Sequence, residues 1–154
     1  MNNRLVFGAM ALAGLTFGVV KPDPFVGTWV LNVAKSTYTP GPAPQSATAI
    51  YSAVPGGLKL VATTQLPDGK STRTEFTAKL NGRDYPVTGN PDYDMTALKR
   101  VGTHRIEFTR KRAGNVVQNG NMVVSADGKI RTVTTDGTNA KGEKVHNVAV
   151  YDRK

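Results

Sequence analysis

Alternating apolar and polar positions fill most of the chain after residue 25. In residues 72–80, threonine and apolar side chains occupy the even positions, whereas polar or charged side chains occupy the odd positions. Runs with a similar two-residue period recur at 104–109, 116–124, 130–135 and 145–151. A period of two places alternate side chains on opposite faces of a β-strand, so these runs predict strands that are buried on one face.

Turn-forming residues separate the runs at intervals of roughly 8–12 residues, which is typical of strands joined by hairpins. The Asp-Gly or Asn-Gly pairs at 68–69, 81–82 and 127–128 suit tight hairpins, because both residue types tolerate positive φ angles. About ten strands and no amphipathic helix of ordinary length follow from this pattern. Such strands must cover their edges, so we predict an all-β fold, an antiparallel up-and-down β-barrel. A two-sheet sandwich is the alternative.

The segment 25–32 contains Trp29, the only tryptophan of the chain. We predict that it forms the first strand and that Trp29 plugs one end of the barrel. Residues 34–44 follow with three prolines and one glycine. These residues exclude a regular helix or a central strand, so we predict a long surface loop that crosses the barrel mouth.

The N-terminal segment differs from the rest of the chain. Arg4 precedes sixteen residues, 5–20, that carry no charge. This stretch is shorter than the roughly 20 residues of a membrane helix and has the charged start of a secretory signal. We therefore predict a signal peptide or N-terminal anchor over 1–20 and one barrel domain over 21–154. The protein is expected to be exported, periplasmic or extracellular, with membrane contact only through an uncleaved N-terminal segment.

Composition excludes several kinds of site. The 154 residues include no cysteine, which rules out disulfides, cysteine-held zinc and thiol nucleophiles. The formal net charge of +9 could attract nucleic acid or anionic lipid. However, the densest basic run, 110–112, has only Phe108 as a nearby aromatic, whereas single-stranded nucleic acid sites interleave aromatic side chains. We interpret the charge as a solvated basic rim and expect no nucleic-acid partner.

The Gly27-Thr28-Trp29 motif resembles the first strand of the calycin superfamily, which contains lipocalins, fatty-acid-binding proteins and avidins. The resemblance implies that Gly27 and Trp29 are structural residues of the barrel floor. A longer resemblance, from about residue 23 to the C-terminus, is to exported bacterial lipocalin-like proteins, a group that brings no established activity. The segments that carry it are 25–29, 35–36, 84–91, 97–100 and 147–151.

Departures from these families limit what the resemblance implies. Avidins enclose biotin with several tryptophans, and this chain has one. Fatty-acid-binding proteins hold a carboxylate with Arg-x-Tyr on the last strand, where this chain reads Ala149-Val150-Tyr151, without the arginine. Lipocalins place a late arginine across the tryptophan, and both Arg131 and Arg153 are open choices for that position.

The resemblance and the export signal favour a binding protein for a small apolar or amphipathic ligand. We expect that ligand to carry at most one anionic group, with its head outward, near Arg100 or Arg110 at the mouth. Tyr85 and Tyr93 are candidates for the rim of that mouth. In the alternative, the large side chains fill the barrel and the protein is an envelope or surface interaction protein. The predicted ligand-binding residues are Phe76, Tyr85, Met95, Arg100, Phe108, Arg110, Met122 and Tyr151.

Catalytic and metal chemistry have little support in the sequence. His104 and His146 are the only histidines. Heme-binding barrels exist in the calycin superfamily, so the resemblance makes His104, which shares a predicted strand face with Phe108, a candidate axial heme ligand. A histidine at a strand end more often lies at the surface or lines a mouth, and neither histidine neighbours a nucleophile and an orienting group. We predict that the protein is not an enzyme and has neither cofactor nor metal; its oligomeric state stays open.

Overall fold

The computed structural model describes residues 14–15 and 18–154. The predicted signal peptide or anchor therefore lies largely outside the described residues. Within them, no helix has both the length and the apolar character of a membrane span.

Eleven antiparallel strands account for most of residues 27–153. Each strand from β3 to β10 pairs with the next one along the chain, and β1 pairs with both β3 and β11. The pairing of β1 with β11 closes a ten-stranded up-and-down barrel, which confirms the predicted fold class. The strands are β1 (Gly27–Leu31), β2 (Thr37–Thr39), β3 (Ser46–Val54), β4 (Gly57–Gln65), β5 (Ser71–Lys79), β6 (Asn81–Thr88), β7 (Met95–Gly102), β8 (Arg105–Arg112), β9 (Asn115–Val124), β10 (Ile130–Thr138) and β11 (Lys144–Arg153).

The short strand β2 is an addition to the ten-stranded barrel. It pairs with residues 146–148 of β11, whereas β1 pairs with residues 151–153 of the same strand. A 3₁₀ turn, Val33–Lys35, joins the two. Ser36 spans the gap, because its hydroxyl accepts a hydrogen bond from Val150 N at 2.9 Å. The first half of the loop predicted over 34–44 therefore lies against β11, and only Ser36 and residues 40–44 of it lack regular secondary structure.

The two ends of the barrel have different connections. The floor, as we call the end at Trp29, carries the turns at 55–56, 103–104 and 125–129. The mouth, the opposite end, carries the connections at 66–70, 89–94, 113–114 and 139–143, together with the proline-rich residues 40–44.

One predicted hairpin turn is placed differently by the structure. Asn81 and Gly82 lie inside β6, where the register with β7 shifts, and Leu80 alone separates β5 from β6. The strands β5 and β6 pair only at Glu75–Thr88 and Phe76–Val87. Because they separate toward the floor, the chain has no need of a tight Asn-Gly turn there.

Trp29 closes the floor of the barrel. It is fully buried, as is Phe25, whose carbonyl accepts a hydrogen bond from the indole Nε1 at 2.9 Å. The Arg153 guanidinium lies 4.2 Å from the centroid of the Trp29 ring. Gly27 leaves space for that guanidinium, since a Cβ at residue 27 would come within 2.3 Å of Arg153 Nη1.

The core fills the floor half of the barrel. Leu58, Ala78 and Ile106 are fully buried above Trp29, and Leu98 and Val124 are nearly so. Phe76, Phe108 and Met122 belong to the same cluster, and Tyr151 packs against it. The rows that contain Phe76, Phe108 and Met122 therefore face the barrel axis, as the alternation predicted. On β10 the buried row is instead the one that contains Arg131 and Thr135.

Candidate functional site

A cavity of about 200 Å³ occupies the barrel interior and reaches the mouth. Strand residues such as Leu60, Met122 and Ala149 line it, and so do Asn90 and Asp92 of the β6–β7 connection at the mouth. Four tyrosines and two arginines are the largest polar side chains that face it. They are Tyr38, Tyr51, Tyr93, Tyr151, Arg110 and Arg131.

Arg131 lies at the inner end of this group, surrounded by aromatic rings. Its guanidinium carbon is 4.3 Å from the ring centroid of Tyr151, its cross-strand neighbour on β11, and 4.8 Å from that of Tyr51. The Trp29 ring is 5.5 Å away. These distances fall within the range of cation–π attraction, which stabilises the charge without giving its N–H groups any acceptor.

The hydrogen-bonding capacity of Arg131 is unused. The side chain is only 2% exposed, and its Nε and Nη1 atoms are buried without a partner among the described residues. An arginine is always charged at physiological pH, and each unsatisfied buried donor costs free energy. Arg131 is therefore the least satisfied buried group that lines the cavity.

Arg153 provides the contrast, because it also contacts the Trp29 ring. Its Nε, Nη1 and Nη2 atoms donate to the carbonyl oxygens of Gly128, Val26 and Pro24 at 2.6, 2.7 and 2.6 Å. The sequence offered Arg131 and Arg153 as alternatives for the arginine across Trp29, and both contact the ring. Arg153 has acceptors for its donors there, whereas Arg131 faces the cavity.

Arg110 is held in place by its neighbours. Its guanidinium carbon lies 4.1 Å from the centroid of the Phe108 ring and 4.5 Å from that of Tyr93. Its Nη1 donates to Gln118 Oε1 at 3.0 Å, and Gln118 Nε2 in turn donates to the Thr138 carbonyl at 3.1 Å. Arg110 thus brings positive charge to the cavity while part of its hydrogen-bonding capacity is occupied.

Three of the tyrosines that line the cavity, Tyr38, Tyr93 and Tyr151, keep their protons at physiological pH. Burial raises the pKa of Tyr93 above its usual 10.0, although the neighbouring Arg110 opposes the shift. Burial likewise raises the pKa of Tyr151, with Arg131 opposing it, and the pKa of Tyr38, which also lines the cavity. Among the described residues, the Tyr51 hydroxyl has the Met122 sulfur as its one hydrogen-bond partner, at 3.5 Å, and a thioether is a weak acceptor.

One side of the mouth is joined by polar contacts between two connections. Asp92 Oδ1 accepts a hydrogen bond from Ala140 N at 2.8 Å. Arg112 Nη1 and Nη2 donate to the carbonyls of Pro91 and Ala140 at 3.3 and 3.4 Å. The single acidic residue among those lining the cavity is therefore engaged in holding the β6–β7 and β10–β11 connections together.

The predicted ligand-binding residues divide into three groups. Arg110, Met122 and Tyr151 line the cavity. Phe76 and Phe108 are buried in the adjoining core cluster. Tyr85, Met95 and Arg100 lie away from the cavity.

Arg100 in particular does not lie at the mouth, where the sequence placed it. It lies at the floor end of β7, where its guanidinium pairs with the Asp23 carboxylate and donates to the Thr103 carbonyl at 2.9 Å. Tyr85 exchanges hydrogen bonds with Asn81 through its hydroxyl. The predicted polar handle at the mouth is thus limited to Arg110.

Sequence reasoning did not assign Arg131 or Tyr51 to a ligand site, and it proposed Tyr93 only for the rim of the mouth. The available signal for Arg131 was the two-residue period of β10, which places it on one face with Val133 and Thr135. Arg131 and Thr135 are both buried. The period groups these residues but does not say which face is inside. Because a charged residue in an alternating strand is normally assigned to the solvent face, Arg131 was expected outside the barrel.

The two histidines lie outside the cavity. His104 is in the turn between β7 and β8 at the floor, where its carbonyl accepts a hydrogen bond from Val124 N at 2.9 Å. His146 Nδ1 lies 2.6 Å from Asp136 Oδ1 on the barrel exterior. Neither position suits a ligand inside the barrel.

A second, wider depression of about 410 Å³ lies on the outer face of strands β6 to β10. Its lining includes Lys99, Arg105, Glu107 and Asp136, whose side chains point away from the barrel axis. Arg105 and Glu107 pair with each other at 3.6 Å. An open, charged depression of this kind gives a small ligand little burial, so the interior cavity is the better candidate site.

No protein-family model and no curated protein matches this chain. The chain is similar to a redesigned β-barrel, mFAP1, whose structure was solved bound to DFHBI. The two share 19% sequence identity over 84% of this chain and 95% of that chain, with a TM-score of 0.43. A similarity of this extent carries no argument about the function of this chain.

Proposed function

We propose that this protein is an exported, lipocalin-like barrel that binds one small amphipathic molecule in its interior cavity. The observation that carries the proposal is the cavity of about 200 Å³, which is enclosed by the barrel wall and reaches the mouth. Its aromatic and aliphatic walls favour burial of apolar surface, and its polar side chains fix the orientation of what they hold.

The volume restricts the size of the ligand. A protein cavity of about 150 Å³ accommodates benzene, so by proportion about 200 Å³ holds about eight non-hydrogen atoms. This volume is below the roughly 300 Å³ at which typical ligand pockets begin. The ligand is therefore a small molecule, or a longer one whose remainder leaves through the mouth.

Native mass spectrometry of the protein purified from its own host tests this proposal directly. We expect an adduct of small mass that is retained under gentle conditions and is lost when the chain is unfolded and refolded. The refolded protein should then bind small aromatic and short aliphatic probes in calorimetric titrations. A bare mass, together with no binding of any such probe at millimolar concentration, would contradict the proposal.

A matched pair of variants locates the binding. Ala62 lines the cavity, so Ala62→Leu fills part of it. Ala53 is exposed at the floor end of β3 and is not among the lining residues, so Ala53→Leu adds the same atoms away from the cavity. We expect Ala62→Leu to weaken probe binding by about tenfold or more and Ala53→Leu to leave it unchanged. Equal affinities in the two variants would place the binding outside the cavity.

Export is part of the proposal and has its own test. The charged start and uncharged stretch of residues 1–20 support it. N-terminal sequencing of the mature protein should give a start between residues 14 and 23. An intact Met1 on protein recovered from the cytoplasm would contradict export while leaving ligand binding open to its own test.

A second candidate function is an envelope interaction protein with a mostly filled barrel. The small cavity volume and the net charge of +9 favour it. Such a protein would bind anionic surfaces through its exterior, with an affinity that falls steeply as salt rises. Binding to vesicles that contain anionic lipid, unaffected by Ala62→Leu, would favour this function over the first.

A further inference from the structure

The Arg131 guanidinium has a charge and donors that no described residue of the protein fully satisfies. Its Nε and Nη1 atoms are buried without a partner among the described residues, and the side chain is 2% exposed. Burial of an uncompensated charge is costly, and the cost falls when an opposite charge with acceptor atoms is brought alongside it. From the proposed function, we propose that the cavity binds a small monocarboxylate with its head inward, on Arg131.

Support of the floor does not explain why Arg131 is an arginine. Arg153 already packs on Trp29 with donors to the carbonyls of Gly128, Val26 and Pro24. Arg131 is farther from the indole, at 5.5 Å against 4.2 Å for Arg153, and is closer to Tyr151 and Tyr51. A long apolar side chain such as methionine would fill the same space among these rings without an uncompensated charge.

The charge balance of the cavity favours an anion. Two arginines and one aspartate line it, so the formal sum is +1. Asp92 already accepts a hydrogen bond from Ala140 N at the mouth, and Arg110 donates to Gln118. Arg131 is the cation whose donors remain available, and one carboxylate brings the sum to zero.

The geometry around Arg131 suits a carboxylate. A guanidinium presents parallel N–H groups that match the two oxygens of a carboxylate, and such pairs are stronger than neutral hydrogen bonds. The hydroxyls of Tyr151 and Tyr51 belong to the rings nearest to the guanidinium, and a protonated phenol donates to an anion. A phosphate monoester would bring a second negative charge for which the cavity has no free cation.

Orientation follows from the position of Arg131. It lies toward the floor, beneath a cavity that opens past Tyr93 and Asn90 at the mouth. The carboxylate therefore enters first and the apolar part lies outward, which is the reverse of the orientation that the sequence predicted. Arg131 and Tyr151 are cross-strand neighbours on β10 and β11, so the guanidinium and the phenol lie together at the inner end of the cavity.

Benzoate and benzamide form the matched probe pair, since they have nearly the same shape and differ in charge. We expect the ligand-free protein to bind benzoate at least about tenfold more tightly than benzamide in calorimetric titrations. Arg131→Met should abolish that preference by weakening benzoate alone. Arg105→Met removes an arginine from the outer face and should leave both affinities unchanged.

The melting temperature of the ligand-free variants provides a readout that needs no ligand. Arg131→Met should melt at the temperature of the parent or higher, and benzoate should raise the melting temperature of the parent but not of this variant. Arg131→Lys, which keeps the charge and loses the paired donors, should retain part of the preference.

Three outcomes would overturn the inference. They are equal affinity of the parent for the two probes, a preference for benzoate that survives in Arg131→Met, and no binding of either probe. In the first two, weaker binding of both probes by Ala62→Leu would still support a ligand cavity, so this inference would fail without the proposed function. If neither probe binds, a native adduct from the host would still support a ligand cavity, so again this inference would fail without the proposed function.

Discussion

Trp29 and the two arginines beside it show how the surroundings of a residue decide its role. Arg153 donates to three backbone carbonyls, and Arg131 has buried nitrogen atoms with no protein acceptor among the described residues. Both contact the same indole, which itself is fully buried. The same residue type therefore stabilises the floor in one position and, in our proposal, receives a ligand in the other.

Trp29→Ala should lower the free energy of unfolding by about 3–5 kcal/mol, because it removes a large buried aromatic and leaves a cavity at the floor. Urea denaturation followed by circular dichroism measures the change. Val30→Ala is the control, since its side chain is 37% exposed and its loss should cost much less. Similar denaturation midpoints for the two variants would contradict the assignment of Trp29 as a floor residue.

The two arginines should respond in opposite directions to the same substitution. Arg153→Met leaves the carbonyls of Gly128, Val26 and Pro24 without their donors and should destabilise the protein by about 2–4 kcal/mol. Arg131→Met removes no protein hydrogen bond that the structure shows and should not destabilise it. Thermal unfolding of both variants without ligand tests the contrast, which fails if Arg131→Met is as damaging as Arg153→Met.

At the scale of elements, β11 is the strand that organises closure. Its residues 151–153 pair with β1 and its residues 146–148 pair with β2, so one edge is shared by two short strands. Asn32 helps to end β1, because its side-chain oxygen accepts a hydrogen bond from Lys35 N at 3.1 Å in the 3₁₀ turn. Ser36 then lies beside the part of β11 that neither β1 nor β2 pairs with.

Ser36→Ala should weaken this junction by leaving Val150 N without its acceptor, at a cost of about 1–2 kcal/mol. Hydrogen exchange resolved by residue measures the effect, and the Val150 amide should exchange faster than in the parent. Ser46→Ala, at the exposed start of β3, is the matched control. Unchanged exchange at Val150 would mean that another group protects this amide.

At the scale of the whole molecule, three tyrosines, one buried and two partly buried, link stability to pH. Burial raises the pKa of Tyr38, Tyr93 and Tyr151 in the folded state above the usual 10.0. Above about pH 10 the unfolded chain releases these protons and the folded chain keeps them, so stability falls as pH rises. The contribution is fully present at neutral pH.

Urea denaturation at a series of pH values checks this expectation. The free energy of unfolding should decline above about pH 10, and Tyr38→Phe should lessen that decline, because phenylalanine has no proton to release. The same variant should show little pH-dependent change relative to the parent at neutral pH. A stability that is flat through the alkaline range would contradict the raised pKa values.

The fold class was predictable because a two-residue period and regular turns are local properties of the chain. The alternation in residues 72–80 gives the same row that β5 buries, with Phe76 and Ala78 inside. Edge protection then favoured closure into a barrel. The Gly27-Thr28-Trp29 motif marked the first strand, and Trp29 lies at the floor.

The candidate site was only partly predictable. Arg110, Met122 and Tyr151 lie on strands whose inward faces the alternation identified, and all three line the cavity. Arg100 lies beside Asp23 at the floor, because strand direction places that end of β7 away from the mouth. Whether a residue near a turn lies at the mouth or the floor depends on the number of preceding hairpins, and a short strand such as β2 is easily missed in that count.

The sequence by itself determined the alternation, the turns and the residue that closes the floor, since each depends on near neighbours along the chain. Only the tertiary structure decided that Arg131 faces inward and meets Tyr151, Tyr51 and Trp29. Those contacts join β10, β11, β3 and β1 across the closed barrel, and their register is set by the whole sheet. The two-residue period of a strand defines two faces but does not say which one is buried. Closure of the sheet into a barrel makes one of them the interior.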